Sequence, residues 1–187
     1  DRFIWEKEAT EGYDSLIGKY LDNSLWRIRY VRFTGNLEDK AEEYSVYINH
    51  DGSINQIVHK LPESRRGVVL DEVSARILAK IYINENFSLI DKDINEVEFA
   101  SIKVNDSRMD WMFSFSDNVT YPLSEGDLRI DIKIAGNKVI ESNRYVHIPE
   151  AWVNEESNSM KKNTMISILS SVSLMLIFLY GVASSIA

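Results

Sequence analysis

The sequence predicts an α+β fold: two repeated helix-plus-antiparallel-sheet units followed by a single transmembrane helix. Three observations carry this expectation. Apolar and polar residues alternate with a period of two around glycine-bearing turn signals, the pattern of half-buried antiparallel strands. Landmarks recur at a near-constant offset, with Trp26 and Trp111 separated by 85 positions, Gly52 and Gly136 by 84, and Pro62 and Pro149 by 87. Finally, the 24 residues Thr164–Ala187 carry no charge, so the net charge of −8 rests entirely on residues 1–163.

Taken in order, Tyr13, Leu16, Ile17, Tyr20 and Leu21 recur at helix spacing and predict a short amphipathic helix. A strand headed by tryptophan follows, Trp26-Arg-Ile-Arg-Tyr30, and then Tyr44-Ser-Val-Tyr-Ile48. Asn49-His-Asp-Gly52 is a hairpin signal, and the return strand Ile54–His59 ends in Lys60-Leu-Pro-Glu63. The second unit repeats the plan. Asp71 can cap a helix whose apolar face is Val73, Ile77, Leu78, Ile81 and Tyr82. A linking strand around Val97–Val104 leads to Trp111-Met-Phe-Ser-Phe115, and Leu128, Ile130, Ile132 and Ile134 alternate with Arg129, Asp131 and Lys133. Ala135-Gly-Asn137 makes the turn, and the return strand ends in Val146-His-Ile-Pro-Glu150. The expected boundaries are 1–67 and 68–152 for the two units, 153–163 for a juxtamembrane linker and 164–187 for the span.

A 24-residue helix at 1.5 Å per residue is about 36 Å long, enough for a hydrocarbon core of roughly 30 Å. Its centre, Leu174-Met-Leu-Ile-Phe-Leu-Tyr180, is strongly apolar. The chain starts at Asp1 without a methionine and stops at the end of this run, which is expected of a piece of a longer protein. Lys161 and Lys162 before the run point by the positive-inside rule to a cytoplasmic domain, opposed by Glu155 and Glu156. Twenty-nine acidic against 21 basic residues argue against a nucleic-acid partner, since phosphate neutralisation needs clustered Lys and Arg. Without cysteine there is no disulfide scaffold, thiol nucleophile or thiolate metal ligand.

The helix-then-hairpin unit resembles the PepSY type of extracytoplasmic module. More specifically, Trp26-Arg-Ile-Arg-Tyr-Val-Arg-Phe33, Ala41-Glu-Glu-Tyr44, His59-Lys-Leu-Pro-Glu63, Arg108-Met-Asp-Trp111 and Tyr145-Val-His-Ile-Pro-Glu-Ala-Trp152 resemble the amino-terminal region of large bacterial CPBP membrane proteases, similar to the enzymes that process CAAX-type prenylated proteins. The resemblance runs through most of residues 3–152. It implies a membrane protein whose soluble domain lies outside the cytoplasm, with the catalytic residues on later membrane helices. None of those helices is in this chain. Glu72-Val-Ser-Ala-Arg76 imitates part of the family's glutamate–arginine motif, but on a soluble amphipathic helix it reads as an ordinary i,i+4 pair.

No catalytic residue, cofactor site or metal site is predicted, because HExxH, GxSxG, P-loop and GxGxxG patterns are all absent. The three histidines are His50, His59 and His147. His50 sits in a turn and reads as solvated. His59 with Glu63, and His147 with Glu150, read as strand-end histidines bonded to a nearby carboxylate, and as candidate partner-binding residues together with Trp152. Glu38, Asp39, Glu42, Glu43, Asp91 and Asp93 read as solvated loop charges. Trp26 and Trp111, at strand starts, are expected in the core, whereas Trp152 stands close enough to the apolar run for an interfacial role.

The resemblance implies a non-catalytic soluble domain, with its following span, of a CPBP-type intramembrane endopeptidase. It would bind, gate or position polypeptide at the membrane, with exposed strand edges taking an extended chain by strand addition. The expected partners are the lipid bilayer and a polypeptide substrate or other membrane-protein helices. The alternative is a single-span, membrane-anchored structural or sensory interaction protein with no enzyme attached. A stand-alone hydrolase has no motif in its favour.

Overall fold

A computed structural model of the chain describes residues 2–32, 42–62, 64–105 and 108–186, with the side chains of 102–105, 176–177 and 179–186 left out. The chain divides into two compact units, Asp1–His147 and Ile148–Ala187.

The first unit is built on one antiparallel sheet. Its elements are helices α1 (Arg2–Lys7) and α2 (Ala9–Leu16), strands β1 (Ser24–Arg32), β2 (Glu42–Asn49) and β3 (Ile54–Lys60), helix α3 (Glu72–Phe87), and strands β4 (Ile94–Asn105), β5 (Arg108–Asp117), β6 (Asp127–Ala135) and β7 (Lys138–His147). The seven strands lie in the order β1-β2-β3-β7-β6-β5-β4. Two meanders, β1–β3 and β4–β7, are therefore joined edge to edge where Val58 of β3 stands opposite Glu141 of β7. The turns fall where the sequence puts them. Gly52 and Gly136 take φ of +84° and +60°, a region open to glycine, and the Asp51 carboxylate accepts from the backbone N–H of Ser53 at 2.9 Å.

The core lies between α3 and the β5–β7 part of the sheet. Trp111, Phe113 and Phe115 of β5, with Leu128, Ile130, Ile132 and Ile134 of β6, are buried on one face beneath Ala75, Ala79 and Ile83 of α3. Asp71 caps α3 as expected, accepting from the Ser74 N–H at 2.9 Å. The apolar face is different from the expected one, since Val73, Ile77 and Ile81 are exposed. Large sheet side chains already fill the interface, so the helix approaches through its alanines. Arg76 keeps its pairing with Glu72 at 2.7 Å, also reaches Glu96 of β4 at 2.6 Å, and lies over the rings of Phe99 and Phe113.

The expected first helix is shorter than its periodicity suggests. α2 ends at Leu16, and Gly18 at φ +73° turns the chain away. α1 and α2 pack against the β5–β6 connection instead of covering β1–β3. Glu8 accepts from Ser124 at 2.7 Å, Lys7 pairs with Glu125 at 2.6 Å, and Tyr20 donates to Asp117 at 2.5 Å. Burial pushes Asp117 up, but hydrogen bonds from Thr120, from Tyr20 and from the N–H groups of Val119 and Thr120 outweigh it and hold the carboxyl below its ordinary range.

Two expectations are corrected here. Among the described residues there are no repeated helix-plus-sheet units: the two meanders share a single sheet, and α3 packs on strands of the second. The offset landmarks record two successive meanders, not two equivalent cores. Trp111 is 8% exposed, whereas Trp26, 85 positions earlier, is 65% exposed and not in the core. The transmembrane helix is the second correction, and the described residues give no support to the membrane and protease terms drawn from it. The second unit is one helix, α4 (Glu150–Ile186), 37 residues long. It starts well before Thr164, so the expected linker 153–163, with Glu155, Glu156, Lys161 and Lys162, is part of the same helix. Among the described residues no helix is long and apolar enough to cross a membrane. Ala187 and the side chains of 176–177 and 179–186 lie outside them.

Candidate functional site

The register of the sheet defines a rank of side chains running from the covered half to the uncovered half. Phe113 stands opposite Ile132, and Ile132 opposite Ser142. Val58 opposite Glu141 then sets Ile57 beside Ser142. Ile57 faces Val46, and Val46 faces Ile28. All lie on the face that carries α3, since Tyr82 of that helix bonds Ser142 at 3.2 Å. Beyond β7 the helix no longer covers the sheet, and the same face continues in the open.

On this uncovered face β1 presents Trp26, Ile28 and Tyr30, which are 65%, 57% and 63% exposed. Tyr44 of β2 and Ile57 of β3 are exposed beside them. β1 is also an edge of the sheet: among the described residues it pairs with β2 alone. Among the described residues it combines a row of backbone groups that no second strand pairs, the Ser24 N–H being held by Asp22 at 2.8 Å, with an alternating display of large apolar side chains, an arrangement that most proteins avoid because it templates strand pairing.

The opposite face of the same strands is polar and internally bonded. Arg29 donates to the Glu43 carboxylate at 2.7 Å, and Arg27 reaches the other Glu43 oxygen at 3.3 Å and Ser45 Oγ at 3.2 Å. The Arg27 guanidinium lies 5.5 Å from the centre of the Tyr47 ring. The hydrogen bond from Arg29 outweighs the burial of Glu43 and brings its carboxyl down to about 2. Glu42 and Glu43 are thus buried strand residues and not the solvated loop charges expected; Glu38 and Asp39 lie outside the described residues. Asp91 pairs with Lys80 at 2.5 Å, and Asp93 accepts from the Ile90 N–H at 3.0 Å.

His59, on β3, is bonded to a carboxylate as expected, but the carboxylate is Glu42 on the neighbouring strand, with Nε2 and Oε1 2.9 Å apart. The imidazole stacks on Tyr44, ring centres 3.8 Å apart, and the bond from His59 holds the Glu42 carboxyl below its usual range. Glu63 lies outside the described residues. His147 closes β7 opposite Asp127, while Glu150 opens α4 in the other unit and Trp152 follows in its first turn. His50 is exposed in its turn. The register places His59 beside Ile140, seven residues from His147 along β7. That is about 23 Å at strand rise, so the two histidines do not share a site. Among the described residues no three metal-ligating side chains gather into a possible ion site.

The β1 surface was missed because tryptophan at a strand start reads as core. The available signal was the strand's composition: Ser24–Arg32 holds three arginines and no carboxylate in a chain of net charge −8. No protein-family model, curated protein or solved structure matches the chain.

Proposed function

We propose that the chain is a non-catalytic binding module that takes an extended polypeptide onto the free edge of β1. The observation that carries this reading is the coincidence, on one strand that among the described residues forms the edge of the sheet, of backbone groups no other strand pairs with Trp26, Ile28 and Tyr30, all more than half exposed. Strand addition would supply main-chain hydrogen bonds for affinity. The apolar shelf formed with Tyr44 and Ile57 would then select side chains at alternate positions of the bound strand.

Panning a displayed library of random peptides against the full chain tests the proposal. Recovered peptides should bind the wild type and lose binding to the triple variant Trp26→Ser, Ile28→Ser, Tyr30→Ser. These side chains are exposed, so each substitution should change stability by less than about 0.5 kcal/mol. Failure to enrich any sequence, or equal binding to the triple variant, would overturn the proposal.

A further inference from the structure

Resting on that reading, we infer that the strand captured by β1 carries apolar side chains at alternate positions and acidic ones between them, and that it does not come from a second copy of this chain. The two faces of β1 differ in chemistry. On the α3 side stand Trp26, Ile28 and Tyr30; on the other stand Arg27 and Arg29. A strand laid antiparallel or parallel along β1 continues both faces, so its residues on the second face become cross-strand neighbours of the arginines.

Charge decides what those neighbours can be. Arg27 and Arg29 converge on one carboxylate, Glu43, and Lys60 stands opposite Glu43 on the next strand. Among the described residues on this face, three cations share one anion, an excess of two positive charges beside the edge. Both arginine side chains are about half exposed, at 48% and 56%, so they remain within reach of an incoming strand. Opposite charges directly across a strand pair stabilise it, and like charges oppose it.

The same pattern excludes self-association through β1. In any antiparallel β1–β1 register that keeps the faces matched, odd-numbered residues meet odd-numbered ones. The arginine row of one copy then lies along the arginine row of the other, as when Ile28 faces its own copy and Arg27 meets Arg29. Shifting by one residue sets arginines beside the Trp26–Ile28–Tyr30 row and breaks the match of faces. An acidic, alternating strand from another protein satisfies both faces at once.

The test uses three synthetic peptides of about nine residues, the length of β1, with valine or isoleucine at alternate positions. Glutamate, glutamine or lysine occupies the positions between. Labelled peptides are titrated with the full chain and followed by fluorescence anisotropy at low salt. The glutamate peptide should bind roughly 2- to 30-fold tighter than its glutamine twin, from two opposite-charge pairs, and the lysine peptide should bind weakest. The preference should vanish in Arg27→Gln/Arg29→Gln and shrink in about 1 M salt, where charges are screened beyond roughly 3 Å. Equal binding of the glutamate and glutamine peptides would overturn the inference and leave the proposed function standing. Binding of none of the three would overturn both. A dimer in sedimentation that Trp26→Ser/Ile28→Ser dissociates would overturn the exclusion of a second copy.

Discussion

Glu43 and Asp117 are two buried carboxylates of the sheet: Glu43 is held ionised chiefly by Arg29 of the neighbouring strand, Asp117 by Thr120 and two N–H groups of its own turn together with Tyr20. Glu43 owes its lowered value, about 2 against an ordinary 4.5, first to the hydrogen bond from Arg29. A carboxyl depressed in the folded state contributes stability that is fully present above its unfolded value and lost as pH falls toward the folded one. Wild type should therefore lose stability relative to Glu43→Gln between about pH 4.5 and pH 2, with the two denaturant midpoints converging at the acid end. A gap that stayed constant with pH would count against the ion pair. Asp117 collects Tyr20, Thr120 and two backbone N–H groups, and Tyr20 in turn lies beneath the Arg144 guanidinium. Tyr20→Phe deprives a buried carboxylate of one donor and should cost about 1–3 kcal/mol, read as a lowered urea midpoint.

At the scale of the element, α3 shows how packing selects between two stripes that periodicity alone leaves equivalent. Residues 73, 77 and 81 and residues 75, 79 and 83 both recur at i,i+4, and the larger apolar side chains occupy the first set. The sheet beneath decides the matter: Phe113, Phe115 and the β6 isoleucines fill the space, so Ala75 and Ala79 face inward. Ala79→Leu should overpack this contact and destabilise by about 1–3 kcal/mol. Ile77→Ser should change stability by less than about 0.5 kcal/mol, as thermal unfolding of both variants would show. What was legible in the sequence is what local chemistry fixes. The period of two located the strands, Gly52 and Gly136 the turns, and Asp71 the start of α3. What was not legible depends on partners distant in sequence. The carboxylate beside His59 comes from Glu42, 17 residues away and on the adjacent strand, where a reading along the chain pointed to Glu63. Trp26 and Trp111 begin similar strands, and only the position of α3 separates an exposed ring from a buried one.

For the molecule as a whole, the joining of β3 to β7 has the largest consequence. It makes one wide sheet from two meanders, of which α3 covers the β5–β7 part, and among the described residues leaves β1–β3 with an open apolar face and an edge that no other strand pairs. A chain of net charge −8 also concentrates three arginines on that edge strand, so the surface is distinct in charge as well as in hydrophobicity. The second unit contributes a 37-residue helix, and among the described residues no helix is long and apolar enough to cross a membrane. Amide hydrogen exchange along β1, with and without the glutamate-bearing alternating peptide, tests most directly whether an extended chain pairs with that edge. The outward-facing N–H groups of Ser24–Arg32, which β2 does not engage, should become protected when the peptide is present. Unchanged exchange along β1 while the peptide is bound, or protection confined to the β4 edge, would contradict it.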